Sequence, residues 1–549
     1  MRDHNRDRGG VSIARNRSIQ PARTSGQTGF AALCAAAIAA GLLNAASFGA
    51  WSHWVLNLLA MTGLFCLMNH AARRGATARA QALLAGCFSM AWFASGLSWL
   101  YISMHDVGGM PAAMAALAVL LFAAYLSLYP AAASWLAWRV AAKAGPIALA
   151  VATGGAWALG ECLRGWVFTG FPWLSIGYAQ IDGPMAGMAP LAGVFGVGGL
   201  TVTVAALWAA TLVPHHRPAP FRSARSDSGR RSKWMPALVA LGLLAAPLAS
   251  SPGQWTQPHG PELSVRLLQG NVPQDLKFRP DRSLAAMQSY LAQFESGGAA
   301  LTLLPETAWT VPWNRTPPEL AERVLAHAAR GHAVAIGMPL LRQTETGNWL
   351  PTNSVVLFSA ESIRAGSAPP QYDKRHLVPF GEFVPWGFGW FVKLMNIPLG
   401  DFGRGRADQM PFEVGGQRVA LNICYEDLFG EEIREALRPE RDATVLANIS
   451  NIAWFGQSNA LPQHLQISRM RSLETGRPML RATNTGMTAA IDAQGRVVAQ
   501  LPPHVVGALD VKVQGTRGLT PFARFGNLPA ILLALAALLG AWMSTRTSR

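Results

Sequence analysis

Residues 418–427 read RVALNICYED. A short apolar run runs straight into a cysteine and then into a polar turn, the pattern of a buried strand that ends in a loop. Cys424 is the only cysteine after residue 162; Cys34, Cys66, Cys87 and Cys162 lie in or beside apolar runs, where packing is the expected role. A lone thiol in an oxidising compartment is a liability unless it is used.

Outward from this strand the same grammar repeats. Strand-like runs fall at 263–269, 300–304, 333–338, 353–358 and 444–449, with helical patterns at 282–294, 319–329, 431–437 and 461–475 between them. A terminal pair at 487–492 and 497–500 turns at Gln494-Gly495, and 251–260 (SPGQWTQPHG) reads as a linker. Strands alternating with helices imply a layered α/β domain over 255–520.

The rest of the chain has another character. Half of the 549 residues are hydrophobic and only 14% are charged, which is the composition of a membrane protein. Apolar runs near 30–50, 54–70, 82–104, 112–138, 146–161, 188–213, 235–250 and 527–543 give about eight expected spans. Seven precede the α/β domain and one follows it. The domains expected are a basic tail at 1–29, a seven-span membrane domain at 30–250, the α/β domain at 255–520, a last span at 527–543 and a tail at 544–549.

The net charge of +16 would suit a nucleic-acid binder, so its location matters. The N-terminal tail, the connections near 71–81 and 139–143, the 214–234 stretch and the C-terminus hold 19 of the 46 basic residues. They hold three acidic ones, Asp3, Asp7 and Asp227, and so carry the whole excess. The intervening connections are nearly free of Lys and Arg. By the positive-inside rule both termini are cytoplasmic and 255–520 lies outside the cytoplasm. No nucleic-acid partner is implied.

Three polar residues stand just past strand-like runs. Glu306 follows LTLLP, Cys424 ends RVALNI, and Lys374 sits in QYDKRHLVPFGEFVP. Strand ends are where α/β sheets present ligand-contacting side chains. A carboxylate can take a thiol proton, the thiolate can attack a carbonyl, and an ammonium can steady both thiolate and oxyanion. Histidine is not needed, and His327, His376 and His464 are expected to serve structure. No set of His, Cys and carboxylates has metal-ligand spacing, and no cofactor is implied.

The segments LLPETAW (303–309), YDKRHLVPFGEFVP (372–385), ICYED (423–427), LANISNIAWFG (446–456) and RATNTG (481–486) resemble the nitrilase superfamily, which uses a Glu–Lys–Cys triad. With the spans, GFPWLSIGYAQ (170–180), QGNVPQDLKF (269–278) and QHLQISRMRSLETGRP (463–478), nearly the whole chain resembles the bacterial apolipoprotein N-acyltransferase family. The implied fold is a polytopic α-helical membrane domain joined to a nitrilase-like αββα sandwich.

Carried over residue by residue, the resemblance makes Glu306 the general base, Lys374 the oxyanion-stabilising lysine and Cys424 the nucleophile. Glu382 would orient the lysine and thiol, Glu426 would be a further required carboxylate, and Tyr425 would shape the pocket. Phe278, Pro385 and Trp454 are implied substrate contacts. The chain departs from the family pattern at Phe278, where Trp is frequent, and at Ile452, where an acidic residue is common.

The implied reaction moves the sn-1 acyl chain of a phospholipid, phosphatidylethanolamine being the expected donor, through a thioester to the N-terminal amine of a diacylglyceryl-cysteine apolipoprotein. The implied setting is the bacterial inner membrane, with a periplasmic catalytic domain, lipid neighbours and no need for more than a monomer. Apolar runs at 378–380, 383–386 and 390–394 could dip toward acyl chains and keep water from the thioester. Two alternatives are a membrane-anchored amidase that passes the acyl group to water, and a transporter with an accessory domain. The scarcity of charge within the spans weighs against the transporter.

Overall fold

A computed structural model describes residues 24–50, 52–214, 229–250, 252–274, 276–277, 279–343, 347, 349–385, 387, 389 and 402–546. The expected substrate contact Phe278, the apolar run 390–394, residues 1–23 and residues 547–549 lie outside these residues.

Two six-stranded sheets form the α/β domain. In spatial order the first comprises Gly507–Val513, Leu263–Gln269, Leu301–Leu303, Ala333–Gln343, Trp349–Phe358 and Gln371–Asp373. The second comprises Val497–Gln500, Ala489–Ile491, Met479–Thr483, Val445–Ser450, Gln417–Ile423 and Phe412–Val414. Each has three parallel strands at its heart and antiparallel strands outside them. Sequence reading misses Gly507–Val513, Gln371–Asp373, Phe412–Val414 and Met479–Thr483.

The inner faces meet in one apolar layer, with Val265, Leu267, Leu303 and Leu357 opposed to Val419, Leu421, Val445 and Ala482. Strands buried on both faces must be nearly continuously apolar, as these are. Helices Pro280–Glu295 and Pro318–Ala329 cover the outer face of the first sheet through Leu291, Phe294, Leu320 and Val324. Ile433, Leu437 and Leu465 cover that of the second. The expected αββα sandwich is therefore present.

Among the described residues five helices are long and apolar enough to cross a bilayer: Trp54–Arg73, Ala112–Ala141, Pro146–Arg164, Pro184–Leu212 and Leu528–Arg546. Ala78–Gly96 and Trp99–Val107 make a sixth if taken together, bent by 47°. Gly29–Ala45 and Trp234–Ala249 are apolar but shorter. Of the eight expected spans, five or six are therefore long and apolar enough to cross among the described residues, so the expected count of eight is not reached. Leu117, Leu121, Leu128, Leu532 and Leu539 are exposed on the long ones, as suits lipid contact.

One helix joins the two halves. In Ala460–Thr475 every residue but Pro462 and Arg469 is buried, so it has no solvent face. Leu461, Ile467, Met470 and Leu473 belong to the same apolar cluster as Trp92, Trp157 and Phe195 of the membrane domain. Its polar residues take up backbone groups that irregularities in the membrane helices set free. Gly193, at φ 65° and ψ −175°, interrupts its helix, and the N–H of Val194 donates to Glu474 Oε1 at 2.7 Å. The N–H of Gly49 donates to Gln466 Oε1 at 2.9 Å. Gln463 Nε2 donates to the Gly96 carbonyl, at the bend of the broken pair, at 3.1 Å. Buried backbone groups freed from helical bonding need partners elsewhere, and this helix supplies them.

Candidate active site

Strand ends bring the chemistry together. Glu306 follows Leu301–Leu303, Cys424 follows Gln417–Ile423, and Lys374 follows Gln371–Asp373. The Glu306 turn passes very close to the neighbouring strand: a Cβ on Gly337 would stand 2.3 Å from the Pro305 carbonyl. Only glycine admits that approach.

Lys374 Nζ lies 3.2 Å from Glu306 Oε1 and 3.0 Å from Glu382 Oε1. One ammonium is thus shared by two carboxylates, and all three side chains are buried. Asn353 Nδ2 bridges the same two oxygens, donating at 2.6 Å to Glu306 and 2.8 Å to Glu382. The backbone N–H of Asn451 donates to the other Glu306 oxygen at 2.8 Å, and that of Val378 to Glu382 Oε2 at 2.9 Å. Both carboxylates accept only, and for Glu306 this favours the ionised form.

Burial pushes Glu306 upward, but Lys374, the Asn353 amide, the Asn451 N–H and Lys277 together hold it below the usual carboxylate range. For Lys374 burial works downward, and Glu306 and Glu382 overcome it, so its ammonium is held firmly charged. Burial and the adjacent Glu306 charge push the Cys424 thiol well up, against the pull of Lys374. The resting pair is therefore a carboxylate and a protonated thiol.

Cys424 has φ 52°, an unfavourable region for any side-chain-bearing residue. Its carbonyl accepts from Asn448 Nδ2 at 3.2 Å and faces His464 Nε2 at 3.2 Å. Burial and Arg481 hold His464 well below its ordinary pKa, so the imidazole is neutral. Nε2 then donates to the Cys424 carbonyl while Nδ1 faces Arg481 Nη2 at 3.1 Å. His464 serves the backbone of Cys424 and not its thiol. His376 pairs with Glu432, and His327 lies against Phe294.

Glu426 ties two catalytic segments together. Its Oε1 accepts from the N–H groups of Arg375 (2.6 Å) and His376 (3.0 Å), just past Lys374. Its Oε2 accepts from the N–H of Ile423 (2.6 Å) and from the Tyr372 hydroxyl (2.9 Å), just before Cys424. Tyr425 reaches away, to the Gly170 carbonyl of a membrane-domain loop at 2.8 Å, with its ring 6.3 Å from that of Phe171. Pro385 is half-buried just beyond Glu382, and Trp454 is 41% exposed on the Ile452–Phe455 turn.

Asn353, Asn448, Asn451 and Lys277 are the participants that sequence reading passes over. Asn353 opens an expected strand, and Asn448 and Asn451 lie in LANISNIAWFG, yet spacing alone does not show which way an amide or a backbone N–H points. Lys277 lies in QGNVPQDLKF and donates to the Glu306 carbonyl at 3.1 Å.

A sandwich of this topology with Glu, Lys and Cys at adjoining strand ends is that of the carbon-nitrogen hydrolases, and residues 264–520 match the Carbon-nitrogen hydrolase family. Residues 40–207 match the Apolipoprotein N-acyltransferase N-terminal domain. The chain is 46% identical to the apolipoprotein N-acyltransferase of Ralstonia nicotianae over 93% of both chains. It is 43% identical to that of Bordetella bronchiseptica, covering 93% of this chain and 96% of that one. The chain belongs to the apolipoprotein N-acyltransferase family.

Proposed function

We propose that the protein transfers the sn-1 acyl chain of a phospholipid to the N-terminal amine of diacylglyceryl-cysteine apolipoproteins, with Cys424 as nucleophile. The observation that carries this reading is a Glu306 carboxylate close to Cys424 whose charge is held by a lysine that it shares with Glu382. It stands at strand ends seated on a membrane domain, where both lipid-anchored substrates are concentrated.

In the first half-reaction Glu306 takes the thiol proton as sulfur attacks the ester carbonyl. Lys374 steadies the thiolate and then the tetrahedral oxyanion. Collapse breaks the ester C–O bond, Glu306 returns the proton to the departing oxygen, and lysophospholipid leaves a thioester on Cys424. In the second, the acceptor amine attacks the thioester, Glu306 takes its proton, and the C–S bond breaks to give the amide and a thiolate that Glu306 reprotonates. Glu382 keeps Lys374 placed, and Glu426 keeps the lysine and cysteine segments in register. Pro385, Trp454 and Phe278 are the proposed substrate contacts. The part-buried setting of Cys424 limits the access of water to the thioester.

The proposed setting is the bacterial inner membrane, with residues 255–520 periplasmic and both termini cytoplasmic, and with phosphatidylethanolamine as donor. The test is mass spectrometry of the purified protein after incubation with phosphatidylethanolamine. One acyl group on Cys424, stable in water and removed by a diacylated lipopeptide, supports transfer. No adduct overturns it, and an adduct lost equally fast without acceptor identifies an amidase-like hydrolase instead.

A further inference from the structure

Lys277 is a buried ammonium that the reaction scheme above leaves unused. It is 3% exposed, and its Nζ donates to the Glu306 carbonyl at 3.1 Å. Among the described residues no carboxylate lies within ion-pairing distance of it. A buried charge without a direct counter-ion is costly, so the residue is retained against its own solvation. The charges that face it are the Glu306 carboxylate and, once ionised, the Cys424 sulfur; Lys374 and Glu382 lie just beyond Glu306.

The charge balance of the site gives it a purpose. Glu306 and Glu382 carry two negative charges, and Lys374, which both share, supplies one positive charge. Without another cation the resting site carries a net negative charge inside a low-dielectric sandwich. It would stay negative when the proton passes to Glu306 and the charge reappears on sulfur or on the oxyanion. Such a site resists forming either anion.

We infer that Lys277 is the second cation of the active site, a positioning residue that keeps it electrically neutral as negative charge moves from Glu306 to Cys424 and the substrate oxyanion. This rests on the proposed role of Cys424, and so the test reads the thiol in two ways, with and without a lipid donor. Burial is the dominant influence on Lys277 and lowers its pKa to about 8, against the pull of Glu306 and Cys424. The neutralising charge is therefore present at pH 7 and lost as the pH rises through about 8.

The experiment uses the full-length protein in nanodiscs, as wild type, Lys277→Met and Lys277→Arg. Two rates are followed from pH 6 to 10: acylation of Cys424 by phosphatidylethanolamine and its alkylation by iodoacetamide, a neutral reagent that needs no lipid site. Lys277→Met is expected to slow both about 100-fold at pH 7, the scale of losing one preorganised charge-stabilising group. Lys277→Arg is expected to stay within about tenfold of wild type and to lose the alkaline fall in acylation, since guanidinium does not deprotonate in this range. If Lys277→Met matches wild type in both rates, or the alkaline fall persists in Lys277→Arg, the assignment is overturned. If wild type is not acylated at all while alkylation shows the expected differences, acyl transfer fails and the second cation stands. Should Lys277→Met not fold, Lys277→Arg alone decides through its alkaline limb.

Discussion

Gln463 Nε2 donates to the carbonyl of Gly96 at 3.1 Å, across the boundary between the catalytic sandwich and the membrane domain. The same side chain accepts the indole N–H of Trp99 at 3.1 Å and of Trp173 at 2.8 Å. A single amide thus satisfies three membrane-domain groups around the bend of the broken helix pair. Its neighbour His464 stacks on Trp173 and faces the Cys424 carbonyl. The backbone of Cys424 is therefore braced, two residues removed, against the bend of the broken helix pair.

Gln463→Leu leaves two buried indole donors and a carbonyl without partners. At about 1–3 kcal/mol for each of the three unsatisfied groups, a loss of roughly 3–9 kcal/mol is expected. Thermal unfolding in detergent checks it, and a melting temperature equal to that of wild type contradicts the bracing role.

Glu382→Gln keeps the side chain's shape and an amide oxygen that can still accept from Asn353 and Lys374, but it gives up the Val378 N–H bond and removes one of the charges that place Lys374. Acylation of Cys424 is expected to slow about 100-fold with little change in donor affinity. Single-turnover acylation at varied donor concentration separates the two effects.

The pH dependence of stability follows from Glu306, whose folded pKa lies below the usual carboxylate range. A depressed carboxylate pKa contributes stability that is present above the unfolded value, about 4.3, and lost as the pH falls through the folded value. The melting-temperature advantage of wild type over Glu306→Gln should therefore be flat from pH 5 to 8 and shrink on acidification below that. An advantage that grows on acidification would have the wrong sign.

Arg481 and Asp427 pair at 3.0 Å with both side chains fully buried. Arg481→Met strands the carboxylate and is expected to destabilise by about 3–5 kcal/mol. The double variant Asp427→Asn, Arg481→Met should recover part of that loss, as urea unfolding of the two variants would show.

Sequence alone determined the division into an apolar, positively edged membrane part and an α/β part, because apolar run length and strand–helix alternation are local properties. It also pointed to Glu306 and Cys424, since each stands directly after a strand-like run, whereas the strand before Lys374 was not legible and that residue stood out only through its motif. It missed Met479–Thr483, a central strand, because Arg481 interrupts the apolar pattern; only the fold supplies Asp427 to neutralise that charge. Tyr425 was expected in the pocket, and the structure turns its hydroxyl to Gly170 of the membrane domain.

The tertiary structure decided what Cys424 sits in. The shared lysine, the Asn353 bridge, the Asn451 N–H and the Lys277 ammonium reach Glu306 from separate segments. Bonds between groups so far apart in the chain leave no periodic trace in it. The same holds for the helix breaks at Gly96 and Gly193: a sequence shows a glycine, whereas the side chain that satisfies the freed backbone comes from more than 270 residues away.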